Sequence, residues 1–191
     1  MGTRRASRPV TRSRQPIVRA TGTGQGLDMT AHVASLGGAM NLVILCGLQA
    51  SGKSTYRERT FDGTHAVVSK DLMSRGSKRS KSMRQELQIR EWFESGNSVV
   101  VDNTNPAFED RAALIALGRE YSARVVCYHF KSTWDQSLDR NALRTGRARV
   151  PYVAIAATSK RWVTPTLSEG FDELYEVVWG PGRTFLEARV G

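Results

Sequence analysis

The sequence predicts an α/β fold, a parallel sheet with helices on both faces, and three observations carry the prediction. Short apolar runs without polar alternation recur along the chain, as strands buried on both faces require. Segments of helical period stand between them. The connections are punctuated by Gly, Pro, Asn and Asp, so that strand and helix alternate in the β-α-β order that builds a parallel sheet.

Taken in order, residues 1–39 are rich in Arg, Ser, Thr and Gly, include Pro9 and Pro16, and show no sustained period. They are expected to form a disordered basic tail, because they have too little apolar surface to offset the entropy of ordering. A domain spanning 40–191 begins with Asn41-Leu42-Val43-Ile44-Leu45-Cys46 as a buried strand. A helix is predicted from Lys53 to about Thr60, a short strand at 66–68, and a helix over 82–95 with Leu87, Ile89, Trp92 and Phe93 as apolar contacts. Ser98 to Asp102 is the next buried strand. Asn105 is expected to cap a helix with Pro106 at its first position, running to about Tyr121. A strand follows over 124–130, and Thr133-Trp134-Asp135-Gln136 fits a capping box opening the helix that carries Arg140 and Arg144. Residues 151–162 are expected to be helical and 174–179 to form the last strand.

Composition narrows the function classes. The formal charge is +10, half of it in the first 40 residues, where six arginines stand against Asp28 alone. A basic body suits polyanionic partners such as nucleic acid or nucleotides. Cys46 and Cys127 lie in apolar runs with no metal-ligand spacing and are expected to be buried free thiols in a reducing, cytoplasmic compartment. No histidine pair has metalloenzyme spacing, and no apolar stretch approaches the ~20 residues of a membrane span.

The chemistry is concentrated after the first strand. Gly47, Leu48, Gln49, Ala50, Ser51, Gly52, Lys53 and Ser54, with the adjoining Thr55, form a complete phosphate-binding loop between a buried strand and a helix. Glycines at both ends let backbone N–H groups point inward, and the helix N-terminus adds partial positive charge. Lys53 is placed to bridge the outer phosphates of ATP, and the Ser54 hydroxyl to hold Mg²⁺. Asp102 ends a strand where an acid can orient the metal or its water. Asp71 follows the 66–68 strand and should reach the carboxyl edge of the sheet, where ligands bind in open α/β folds. There it could accept the proton of an attacking hydroxyl. Arg140 and Arg144 are four apart, on one helix face, and can converge on a triphosphate. A second acid-free run holds Arg75, Lys78, Arg79, Lys81 and Arg84.

Together these residues resemble the kinase domain of the polynucleotide 5′-hydroxyl kinases. The likeness rests on the loop, the acid after the second strand, Asp102-Asn103-Thr104-Asn105, Arg140-Asn141-Ala142-Leu143-Arg144 and Val150-Pro151. It covers 41 to about 163 and implies a P-loop NTPase sheet of the adenylate-kinase type. It also implies transfer of the ATP γ-phosphate to a 5′-hydroxyl of DNA or RNA, as in nucleic-acid end repair. Asp71 would match the general base, Lys53 and Ser54 the ATP and Mg²⁺ contacts, and Arg140 and Arg144 the lid arginines. Arg75, Asp102 and Asn105 are the expected acceptor-side contacts. The sequence departs from the family where an arginine follows the base by three positions: Ser74 stands there, and Arg75 comes next. A small-molecule or aminoacyl-tRNA kinase on the same scaffold is the competing reading, and a nucleotide-dependent nucleic-acid-binding module a third.

Overall fold

The structure, a computed structural model, describes Val18–Arg19 and residues 40–191. The disordered-tail expectation lies outside the described residues, apart from the two-residue strand β1 (Val18–Arg19), which runs parallel to β7. The sheet contains β2 (Asn41–Cys46), β3 (Ala66–Val68), β4 (Val99–Asp102), β5 (Arg124–Phe130), β6 (Glu173–Trp179) and β7 (Phe185–Arg189). Its order is β1-β7-β6-β5-β2-β4-β3. From β6 to β3 every pairing is parallel, with Val43 beside Val100 on one side and Val126 on the other. The sheet therefore has helices α1 (Lys53–Thr60), α2 (Lys78–Glu94), α3 (Phe108–Glu120), α4 (Trp134–Ala142) and α5 (Tyr152–Lys160) as its crossovers and cover.

Successive strand residues point to opposite faces, and each face has its own core. Leu42, Ile44 and Cys46 pack with Val125 and Cys127 beneath Ile89 and Phe93 of α2 and Leu114 and Leu117 of α3. On the reverse face Val43 and Leu45 pack with Tyr128, Phe130 and Tyr56 of α1. Cys46 and Cys127 are free and buried, and burial pushes the Cys127 thiol pKa up, so Cys127 offers no ready thiolate.

Four expectations change. The second helix begins at Lys78 rather than 82, because the Ser77 hydroxyl accepts the Ser80 N–H at 3.1 Å and caps it there. Asn105 does not cap α3. Its side-chain amide donates to Leu45 O at 2.9 Å, holding the residue at φ 42°, and the helix starts later, with Ala107 at its cap and Asp110 accepting the Ala107 N–H at 3.3 Å. The helix carrying Arg140 ends at Ala142, so Arg144 lies beyond it. There Asn141 accepts the Val150 N–H at 2.9 Å and donates to Val150 O at 2.8 Å, clasping the 141–150 loop shut. Lastly, β7 follows β6 and pairs with it antiparallel. Its buried acid, Glu187, accepts the Tyr56 hydroxyl at 2.7 Å and masks the strand from a hydropathy reading.

Candidate active site

The central strand β2 ends at Cys46 and the chain turns at Gly47, whose N–H donates to Thr104 O at 3.1 Å. A Cβ at Gly47 would lie 2.8 Å from Ser51 Oγ and 2.9 Å from Phe130 Cβ, so the turn admits only glycine. Gly52 sits at φ 109°, and a Cβ there would meet the Trp179 ring at 2.8 Å. The loop carbonyls are tied one after another to side chains. Lys53 Nζ donates to Gly47 O at 2.8 Å and Leu48 O at 2.7 Å, Arg140 Nε to Ala50 O at 2.8 Å, and Trp179 Nε1 to Ser51 O at 3.0 Å. With its carbonyls engaged by side-chain donors, and with no side chain capping α1, the loop leaves the first-turn N–H groups of that helix for an anion.

Lys53 is buried, and burial pushes its pKa down to about 8. Lys53 lines a cavity of about 70 Å³ together with Ser54, Asp71, Asp102 and Arg144. These five predicted residues come from α1, the loop after β3, the end of β4 and the loop after α4, and they meet at the carboxyl edge of the sheet. Gln49, Ala50 and Gly52 of the predicted loop line the cavity too, whereas Arg140, Asn105 and Arg75 do not. Arg140 instead donates to Ala50 O and the Ser132 hydroxyl. Asn105 is buried under the loop, on Leu45 O. Arg75 is exposed and outside the cavity.

Asp102 and Asp71 are held differently. Asp102 is buried, with Oδ2 accepting Arg57 Nε at 3.2 Å. Asp71 is exposed, but its backbone is pinned. The Ser69 hydroxyl donates to Asp102 O at 2.7 Å, and Asn103 Oδ1 accepts the Lys70 N–H at 2.9 Å while its amide donates to Gln85 at 2.7 Å. Ser69, Asn103 and Gln85 thus fix the loop after β3 to the end of β4, a role that sequence reasoning missed. It placed Arg84 in the basic run without giving it a role. From α2 this guanidinium donates to Ser74 Oγ at 2.7 Å and Ser74 O at 3.2 Å, and a Cβ on Gly76 would come within 2.6 Å of it. The position three after Asp71 holds a serine, and a guanidinium from α2 occupies its surroundings. The acid-free run 75–84 was the available signal.

The oxygen set suits a hard divalent cation. Ser54 and Asp102 supply a hydroxyl and a carboxylate, and no group of three or more His, Cys, Asp or Glu able to hold an ion occurs among the described residues. Mg²⁺ is bound in this manner, by one or two protein oxygens with phosphates and waters completing the octahedron.

A family model described as the AAA domain matches residues 42–164. The chain belongs to the AAA domain family. A bifunctional polynucleotide phosphatase/kinase of Schizosaccharomyces pombe is 30% identical over 140 residues, which is 71% of this chain and 33% of that protein. The chain thus spans about a third of the length of this curated relative. Among solved structures, Kti12 of Chaetomium thermophilum in complex with ADP-AlF3 has a TM-score of 0.57 at 13% identity, covering 72% of this chain and 89% of that one. A chain of the Pnkp1/Rnl/Hen1 RNA repair complex has a TM-score of 0.55 at 21% identity, over 64% of this chain and 44% of that one. A fungal RNA kinase has a TM-score of 0.54 at 13% identity, over 76% and 78%. These structures share the fold, and the chain resembles the P-loop kinase domains of polynucleotide kinases.

Proposed function

We propose that this chain transfers the γ-phosphate of Mg·ATP to the 5′-hydroxyl of a polynucleotide. The observation that carries the reading is the Asp71 carboxylate, on a pinned loop, lining the same cavity as Lys53, Ser54, Asp102 and Arg144. A phosphate-binding module needs no exposed acid there, since a carboxylate repels the anion that the loop attracts. A group-transfer enzyme does, because a hydroxyl must lose its proton to attack.

In this reading the loop N–H groups and Lys53 hold the β- and γ-phosphates, and Arg144 meets the charge that spreads over the transferring group. Mg²⁺ held by Ser54 and Asp102 would neutralise phosphate charge and fix the donor in line with the acceptor. The acceptor hydroxyl gives its proton to Asp71 while its oxygen bonds to phosphorus and the bond to the ADP oxygen breaks. Arg84, anchored at Ser74, supplies positive charge for an acceptor phosphate. The polynucleotide acceptor is further supported by the S. pombe relative and by the basic run leading into α2. End repair would follow as the context of such an activity.

The test is incubation of the full chain with γ-labelled ATP, Mg²⁺ and 5′-hydroxyl DNA or RNA oligonucleotides. Label is expected at the 5′ end. If no polynucleotide is labelled while nucleosides or other small hydroxyl compounds are, the acceptor is a small molecule. Absence of transfer to any hydroxyl would overturn the kinase reading.

A further inference from the structure

Trp179 ends β6, outside the phosphate loop and its helix, and its indole meets the loop at one peptide. Nε1 donates to Ser51 O at 3.0 Å, and the ring abuts Gly52 so closely that a Cβ there would lie 2.8 Å from Cζ2. We propose that Trp179 is a positioning residue for the donor phosphates, one that aims the Gly52 N–H, a role that rests on the kinase reading above and deepens it.

In a trans peptide the C=O and the N–H point in opposite directions. An indole that holds Ser51 O therefore turns the Gly52 N–H away from β6. Gly52 lines the cavity of Lys53, Ser54 and Arg144, whereas Trp179 does not, so the indole acts on an anion there only through this peptide. Among the described residues the Gly52 N–H has no hydrogen-bond partner, as a donor kept for a ligand requires. Chain geometry alone does not fix the peptide. A flip changes ψ of Ser51 and φ of Gly52 together, and Gly52, at φ 109°, has no Cβ to oppose the move to negative φ. The flip would aim Ser51 O, instead of the N–H, at the phosphates. Lys53 and Arg140 hold the carbonyls of Gly47, Leu48 and Ala50, and leave that of Ser51 to Trp179.

The indole is itself held from behind. Trp179 pairs with Phe185 across the β6–β7 hairpin, with ring centroids 4.3 Å apart and planes 35° apart. Phe185 is fully buried and meets Tyr56 of α1 edge-on, with centroids 5.3 Å apart. From the same helix Tyr56 donates its hydroxyl to Glu187 at 2.7 Å and Arg59 donates to Arg183 O at 2.7 Å, so the hairpin is fastened to the helix that the loop opens. Loop, helix and hairpin thus brace one another, with the indole as the contact that reaches the loop backbone. A tryptophan used for packing alone would be served by any acceptor for its N–H. Here the acceptor belongs to the peptide whose other end is free for the phosphates.

Calorimetric titration of the full chain with Mg·tripolyphosphate, which has the donor's phosphates and no nucleoside, reads the loop without any acceptor. Two changes at position 179 are compared with wild type: Trp179→Phe, and replacement of the indole by benzothiophene, which keeps the ring size and puts sulfur where the N–H stood. Both should weaken tripolyphosphate binding about tenfold, the scale of one hydrogen bond to a charged group. KM for ATP should rise by the same factor with kcat held, because the Gly52 N–H serves ground state and transition state alike. A packing role alone would lower the unfolding midpoint and leave the affinity of the folded protein as it was. Should Trp179→Phe fail to fold, the benzothiophene protein decides: unaltered tripolyphosphate affinity in it overturns the role and leaves the kinase reading intact. Transfer to no hydroxyl removes the kinase reading, while a tenfold loss of tripolyphosphate affinity still upholds the aiming of the Gly52 N–H. A wild type that binds no tripolyphosphate overturns both.

Discussion

Lys53 is held by the loop that it serves, and this changes what its removal should do. Alanine at 53 abolishes the phosphate contact, but it also strips Gly47 O and Leu48 O of their donor in a buried place. Lys53→Ala should therefore lose phosphoryl transfer and also about 1–3 kcal/mol of stability, measured by denaturant unfolding. Unaltered stability would mean that water replaces the ammonium. Asp71 is the opposite case. It is exposed, and its own N–H has only a 3.4 Å contact to Ser69 Oγ. Asp71→Asn should keep fold and ATP affinity and slow transfer to a 5′-hydroxyl by at least about a hundredfold. Lost ATP binding would make Asp71 a metal or structural residue. For Arg84, alanine should raise KM for the oligonucleotide about tenfold and leave KM for ATP alone; a change in the ATP constant would place the guanidinium on the donor side. These residues differ in how far they could be read from the chain. The loop is eight adjacent residues whose order encodes its geometry. Ser69, Asn103 and Arg84 act through bonds to residues distant in sequence, or across a turn whose shape Gly76 sets, and no local pattern announces them.

At the scale of elements, Arg140 and Arg144 share a helical spacing yet serve different ends of the site. The helix stops at Ala142 because Asn141 turns its amide onto Val150, and this clasp carries Arg144 to the cavity while Arg140 stays on Ala50 O. The capping box that opens α4 was legible; the point where a side chain leaves the helical register to bind backbone nine residues on was not. Asn105 repeats the lesson, since an Asn before Pro106 favours a helix cap until Leu45 O claims its amide. Function divides accordingly. Arg140→Ala should leave Ala50, a non-glycine held at φ 60°, without its tie, loosening the loop and raising KM for ATP about tenfold. Arg144→Ala should instead lower kcat by about a hundredfold with a smaller effect on KM, as expected of a cation facing the transferring group. Steady-state kinetics of the two variants side by side distinguish the roles, and identical profiles would mean that both arginines contact the donor directly.

Over the whole molecule, the parallel core was readable because each strand from β2 to β5 holds an unbroken apolar run, whereas β7 hid behind Glu187, and the buried cross-links hid altogether. Arg111 is the extreme instance. A fully buried guanidinium on α3 binds Glu169 through Nε at 2.6 Å and Nη2 at 2.7 Å, and reaches Val163 O at 2.9 Å, joining α3 to the segments after α5 and before β6. A fold built on such contacts around a basic exterior has a particular response to acid, set by two histidines that burial keeps neutral. The His65 pKa is pushed down from 6.5 to about 4, and that of His129 is lowered as well. His65 Nε2 is buried without a partner, and the ring packs edge-on against Phe61 with centroids 4.9 Å apart, so a proton there would place a charge in an apolar pocket. With the folded pKa below the unfolded one, the unfolded chain binds the proton first as pH falls. Stability should therefore be complete above about pH 6.5 and decline towards pH 4, by at most about 1.4 kcal/mol per pH unit for each such histidine. His65→Phe keeps the ring against Phe61 and removes its titration, so the unfolding midpoint of this variant should fall less steeply than that of wild type between pH 6.5 and 4.5. Carboxylates titrate in both proteins and cancel in the comparison, which leaves parallel midpoint curves as the result that would show His65 to be protonated in the folded state without penalty.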